Sequence, residues 1–315
     1  MTNDMTTGNP VKLILLFSIP LLIGNIFQQL YNMVDSIIVG NFVGANALGA
    51  IGTTNSLNFF FFSLVAGLSV GIGIIVAQYF GFGDEEKVKD AIGNSIWIIT
   101  VCSVIMAIIG FVTARPVLVL LDTDPVILND AVAYLKVVSI GIVCVGFYNG
   151  VSGILRALGD SKTPLIFLIV ASVLNVILDL IFVLSFGWGV VGAGVATAFS
   201  QLISALACII YAYKSNTYFK LKKKNIKLNG NIIKKSCKLG IPVALQNSLI
   251  AFSLIVLQKV VNGYGATFTT AFTVVSRIET LVQQPFMSLG AAVSTYTGQN
   301  IGAGLKDRVR KGFNS

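Results

Sequence analysis

Residues 13–39 read LILLFSIPLLIGNIFQQLYNMVDSIIV, an apolar run long enough to cross a bilayer as a helix, yet it contains Asn25, Gln28, Gln29, Asn32 and Asp35. These polar residues recur at spacings of three and four, so on a helix they form one stripe that ends in a carboxylate. An ionised Asp near a bilayer midplane costs about 2.5 to 3.5 kcal/mol on insertion scales, so Asp35 needs a polar cavity, a partner or a proton. The alternative is a place at the outer interface, where that cost does not arise.

The rest of the chain has the same character. It is 55% hydrophobic and 11% charged, its mean hydropathy is +0.85, and long apolar runs recur along its whole length. This is the composition of an all-α polytopic membrane protein. The net charge of +9 is confined to short segments between apolar runs, so membrane topology explains it better than nucleic-acid binding. Cys102, Cys144, Cys208 and Cys237 fall singly, without metal-ligand spacing, and read as small hydrophobes. The absence of histidine excludes imidazole metal sites, Ser-His catalysis and His relays. The polar start, Met1 to Val11, does not read as a signal peptide.

Eight spans are expected, near 13–39, 46–76, 93–114, 131–155, 164–186, 189–213, 238–263 and 268–298. With the N-terminus in the cytoplasm, all of the 22 basic residues except Arg115, Lys136, Lys259 and Arg277 fall inside, while Asp122, Asp124 and Asp130 fall outside. The lysine-rich stretch from Lys214 to Lys238 is the longest polar segment and the natural linker between two halves; it also suits anionic lipid headgroups.

An internal repeat runs through the chain. Lys12, Ile19-Pro20, Asn41 and Gly44-Ala45 return as Lys234, Ile241-Pro242, Asn262 and Gly265-Ala266, and Gln78-x-x-Gly81-x-Gly83 returns as Gln299-x-x-Gly302-x-Gly304. The first unit holds six spans, an even number, so the second starts on the same face of the membrane. The repeats are then parallel, with a cavity expected between two six-helix lobes. Residues 1–213 form the first lobe, 214–237 the basic linker, and 238–315 the first two spans of a second lobe, so the chain reads as a piece of a longer transporter.

Together Ile19-Pro20 with Gln28, Val34-Asp35, the Gln78 turn, Arg156-Ala157-x-Gly159-Asp160-x-Lys162-x-Pro164, Asn175-x-x-x-Asp179 and Gly298-Gln299-Asn300-x-Gly302-Ala303-Gly304 resemble the multidrug and toxic compound extrusion (MATE) transporters, most strongly the bacterial ones. The resemblance covers essentially the whole chain. It implies twelve spans in two lobes, a plasma-membrane location, and export of organic cations or amphipathic drugs in exchange for Na+ or H+, with no other cofactor and no enzymatic activity. A monomer with no nucleic-acid partner is expected.

Ser172, Asn175 and Asp179 are spaced by three and four and share a face of the fifth span. Two acids on separate polar stripes are better explained by a shared hydrated site than by two helix caps. The family resemblance implies that Asp35, Asn149, Asn175, Asp179 and Thr197 bind the coupling cation or proton, with Na+ held at Asp35, Asn175 and Asp179 if sodium is the ion. Two carboxylates in a low-dielectric cavity cannot both ionise cheaply, so the site takes up a proton or a small cation, and the residues do not choose between them. In the repeat, Asp35 aligns with Val256 or Leu257, so the seventh span has no such acid.

Gln28, Asn32 and Glu279 are candidates for the substrate cavity, Glu279 equally for a cap at the outer interface. Lys259 is expected to snorkel and Arg277 to pair with another helix. The Phe59–Phe62 run offers either stacking surface for aromatic drugs or packing and lipid contact; Gly67, Gly71 and Gly73 permit close approach or a hinge. A flippase for lipid-linked oligosaccharides is the alternative reading, but it calls for a cationic central cavity, and few basic residues lie within the spans.

Overall fold

The computed structural model describes residues 2–262, 264 and 266–314; the side chains of 255, 258, 259, 262, 266–271, 273, 274 and 277, and hence those of Lys259 and Arg277, lie outside the described residues. The chain runs as α1 (Pro10–Phe42), α2 (Ala45–Phe82), α3 (Glu85–Leu120), α4 (Pro125–Ala157), α5 (Lys162–Asp179), a π-helical turn Leu180–Ser185, α6 (Gly189–Ser215), a 3-10 turn Thr217–Phe219, α7 (Gly230–Asn262), α8 (Ala266–Gly302) and α9 (Lys306–Phe313). Among the described residues, seven helices are long and apolar enough to cross a membrane, from Pro10–Phe42 to Gly230–Leu254. The eighth expected span lies in α8, part of which is outside the described side chains.

The helices overrun the apolar runs because polar caps start them in water. Asn9 accepts from Lys12 N at 3.3 Å with Pro10 at the first helical position, and Asp84 accepts from Lys87 N at 3.0 Å. The Lys87 ammonium, 2.8 Å from Asp84, holds the Asp84 carboxyl below the usual carboxylate range. Asn229 caps α7 through Asn231 N and Ile232 N, so Lys234, Lys235 and Lys238 sit on the opening turns of α7 and the non-helical linker is shorter than the sequence implies. The fifth expected span is one element in the sequence and two in the structure: α5 stops being α-helical directly after Asp179 and continues as a π turn.

Within the first unit, α2, α3 and α4 pack around Leu57, Phe61, Val65, Leu118 and Leu135, and α4 packs on α6 as well. The Phe59–Phe62 run therefore divides, with Phe61 in this core and Phe59 and Phe60 exposed. Helix α1 packs against α5 on one side and α8 on the other, where Ile14 and Phe17 meet Ala292 and Tyr296.

The second unit joins the first through backbone-close contacts along α2. A Cβ on Gly67 would lie 2.5 Å from Ala244 Cα, and one on Gly71 would collide with the Ser236 carbonyl; one turn beyond Gly67, Ser63 and Ser248 share a 2.9 Å hydrogen bond. The glycines read as a possible hinge here serve close approach. Farther along α2 the two copies of the repeated turn meet reciprocally: a Cβ on Gly81 would strike the Gln299 carbonyl, and one on Gly302 would strike the Gln78 carbonyl. Gly83 and Gly304 then end their helices in the left-handed region at φ 80° and 76°.

Two straps cross this end of the bundle. The N-terminal strap donates Asn3 N to Leu158 O (3.1 Å) in the first unit, and in the second it donates Met5 N to Gln299 Oε1 (2.8 Å) and accepts Asn300 Nδ2 on Met5 O (3.1 Å) and Arg308 Nη1 on Gly8 O (3.0 Å). The linker strap docks on α3, where Asn225 Nδ2 reaches Asp90 Oδ1 (2.7 Å), Asn229 N reaches Asn94 Oδ1 (2.8 Å) and Trp97 Nε1 reaches Ile226 O (2.8 Å).

Candidate cation site in the first helical unit

Helices α1, α4, α5 and α6 enclose a cavity of about 160 Å³ lined by Asn25, Gln28 and Tyr31 of α1, Tyr148, Asn149 and Arg156 of α4, Pro164 and Leu168 of α5, and Thr197 and Gln201 of α6. Its α1 wall is the polar stripe, placed inward because α5 presents Leu165 and Leu168 to Gly24, where a Cβ would come within 3.4 Å of both. Asn25 marks the edge of that wall, its Nδ2 donating to Ser288 Oγ on α8 at 3.1 Å.

Beside the cavity the carboxyl groups of Asp35 and Asp179 face each other within reach of a shared proton. Asp179 is fully buried, as are Asn175 and Ser172 on the same face of α5. Asn175 Nδ2 donates to Thr197 Oγ1 at 3.4 Å, which leaves its Oδ1 free to accept. Among the described residues, five buried oxygens here have no hydrogen-bond partner: Asp35 Oδ1, both oxygens of Asp179, Asn175 Oδ1 and Gln201 Oε1. Buried polar atoms are otherwise almost always paired. A cluster of unpartnered acceptors around two acids is an arrangement that a proton or a small oxygen-loving cation satisfies.

The other expected residues divide. Asn149 lies on the cavity wall with its amide turned to its own helix, Nδ2 donating to Val145 O at 2.8 Å. Gln28 lines the cavity, but Asn32 is exposed and does not. Glu279 is exposed on α8 and accepts from Gln283 Nε2 at 3.0 Å; it lines neither this cavity nor the one described below.

Three residues escaped the sequence reading. Tyr31 stands beside Gln28 and Gln201 and close to both acids. Its position, three after Gln28 and four before Asp35, places it on the stripe, and the spacing would have found it. Gln201, four after Thr197, was legible in the same way. Buried Tyr134 of α4 packs with Ile38 and Val39 of α1 and Val190 and Ala193 of α6 near the acids, and no spacing signal pointed to it. Arg156, which the distribution of basic residues counts on the inner side, occupies the last turn of α4 and lines the cavity.

A family model described as MatE matches residues 20–181 and 242–315. The chain is 35% identical over 307 residues to the probable multidrug resistance protein YpnP of Bacillus subtilis (strain 168), covering 97% of this chain and 68% of that one. It is 30% identical over 303 residues to the probable multidrug resistance protein YoeA of the same organism, covering 94% and 65%. Among solved structures, an outward-facing multidrug resistance MATE family transporter of the MOP superfamily superposes with a TM-score of 0.91 at 26% identity, covering 100% of this chain and 70% of that one. The chain thus spans roughly two thirds of the length of the relatives it matches.

Proposed function

We propose, from the premise that this chain belongs to the MatE family, that it serves a secondary active exporter of organic cations or amphipathic compounds, driven by exchange for Na+ or H+ at Asp35 and Asp179. The observation that carries this reading is the group of five unpartnered buried oxygens around the two acids. While the pair is empty, two negative charges face each other in a poorly solvated pocket. A proton or cation relieves that repulsion and lets α1 and α5 pack closely.

Helix α1 links this site to substrate, because the same helix packs against α8 and borders the space between the units. An ion shifts the balance of inward and outward forms only by its unequal affinity for them, and a substrate that prefers the opposite form completes the exchange. In this reading residues 1–213 are the ion-coupling lobe, 214–237 the cytoplasmic linker and 238–315 the opening of the second lobe; the protein works as a monomer in the plasma membrane with its N-terminus inside.

The test is export of a fluorescent organic cation from vesicles carrying the full-length protein, with sodium and proton gradients imposed separately. One gradient drives export, and Asp35→Asn and Asp179→Asn each abolish it. Full ion-driven export by either variant sinks the proposal. A flippase for lipid-linked oligosaccharides is the second reading, and one observation favours it: Arg156 supplies a cation to the cavity walls.

A further inference from the structure

A second cavity, of about 430 Å³, lies between α2, α4 and α8. Its walls are mostly apolar, with Val70, Ile74, Phe286 and Met287, and its polar residues include Ser294 and Thr295. Asn149 and Arg156 line this cavity and the first-unit cavity alike, so they form the partition between them.

The Arg156 guanidinium has no ion pair and no hydrogen bond among the described residues. It does not cap α4, whose last carbonyls are taken by backbone: Leu158 N bonds Ile154 O, Asp160 N bonds Leu155 O and Gly159 N bonds Arg156 O. Tyr148, its neighbour on α4, gives its hydroxyl to Pro164 O at 2.9 Å. The carboxylate nearest along the chain, Asp160, accepts from Lys162 N, Thr163 N and Thr163 Oγ1 at the start of α5. A partly buried guanidinium without a counter-charge has five donors to satisfy, and its planar fork matches a carboxylate or phosphate.

We propose that Arg156 is the anion-recognising end of a binding site for amphiphiles in the cavity between α2, α4 and α8. The site takes the carboxylate or phosphate head of a ligand whose hydrocarbon lies along Val70, Ile74, Phe286 and Met287. The ligand is either a soluble amphipathic acid or the headgroup of an anionic lipid, since both present the same chemistry. This goes beyond the ion-coupling reading and is independent of the state of Asp35 and Asp179.

The test is titration of the full chain, in phosphatidylcholine nanodiscs, with octyl phosphate and with octyltrimethylammonium of the same chain length, subtracting protein-free discs. The expected result is saturable binding of octyl phosphate only, weakened about tenfold or more by Arg156→Gln and partly retained by Arg156→Lys, which keeps the charge but loses the fork. Gly290→Phe keeps Arg156 and fills the second cavity from a position where a Cβ meets nothing within 4 Å; it should also remove binding, and it serves if Arg156→Gln fails to fold. Asp35→Asn should bind octyl phosphate like the parent, which separates failure here from failure of the exporter reading. Repeating the titration in phosphatidylglycerol discs identifies the source. Loss of binding means that lipid headgroups occupy the site, retention means that soluble acids do, and either supports it. Equal binding by the parent and Arg156→Gln, binding of the ammonium compound at matching affinity, or indifference to Gly290→Phe overturns it.

Discussion

Helices α1 and α7 begin their two units with the same Ile-Pro pair, at Ile19-Pro20 and Ile241-Pro242, and end near the same Gly-Ala turn, yet only α1 carries an acid. One turn of helix separates Asp35 from Tyr31, and both reach the α5–α6 site; the positions in α7 that match Asp35, Val256 and Leu257, are exposed hydrocarbon. The ends of α2 and α8 make the opposite point. There Gly81 and Gly302 meet each other's glutamine backbone in the same way. Duplication has been kept where the two units touch and lost at the pair of acids.

That contrast can be tested from its strongest expected effect downwards. Asp35→Asn should eliminate ion-driven export, whereas Leu257→Asn, at the matching place in the second unit, should leave it unchanged; loss of export in both would mean that the acid site is not confined to the first unit. Next come the reciprocal glycines. Gly81→Ala and Gly302→Ala each force a methyl into a carbonyl of the other unit and should lower stability by about 1–3 kcal/mol, by similar amounts, in a thermal melt of the reconstituted protein.

The glutamines at the two turns should separate. Gln299 uses both ends of its amide, accepting from Met5 N and donating from Nε2 to Ala157 O at 2.9 Å, so Gln299→Ala leaves two buried groups unpaired at about 1–3 kcal/mol. Gln78→Ala should cost well under that; equal losses in the same melt would show that the turns are energetically alike as well as geometrically. The smallest effect belongs to the caps that follow. Asp84 caps α3, while Leu305, its repeat counterpart, starts α9 with no side-chain bond. Asp84→Ala should cost about 1 kcal/mol and Leu305→Asp should gain a fraction of that.

How much of this could be read from residues alone depends on whether the cause is local. Membrane spans follow from runs of apolar side chains, and the shared face of Ser172, Asn175 and Asp179 follows from helical spacing, so both were legible. The stripe on α1 was legible but too broad: its inward centre runs through Gly24, Gln28, Tyr31 and Asp35, and Asn32 lies about 60° round the helix from Asp35, at 100° per residue, on the exposed side. The cavity position of Arg156 was illegible because charge counting knows only how near a residue lies to the end of a span, not which way the last turn of α4 packs. The π turn after Asp179 was illegible, since Leu180–Ser185 carries no residue that breaks an α-helix. Tyr134 was illegible for a different reason: its nearness to the acids depends on how α4 packs among α1, α2 and α6, a matter of tertiary packing.

The N-terminal strap has a bearing on how the protein is made. Met5 leaves the ribosome among the first residues, but the side chains that satisfy its backbone, Gln299 and Asn300, follow it by 294 and 295 residues. Until residues 299 and 300 are made, the opening segment can dock only through Asn3 N on Leu158 O, and seven apolar helices precede its partners in the second unit. Closing so long a loop comes after the shorter loops within the first unit can close. The strap therefore acts as a clasp between the two units: a chain that stalled in translation before residue 299 would present this end of its first unit held by Asn3 on Leu158 alone.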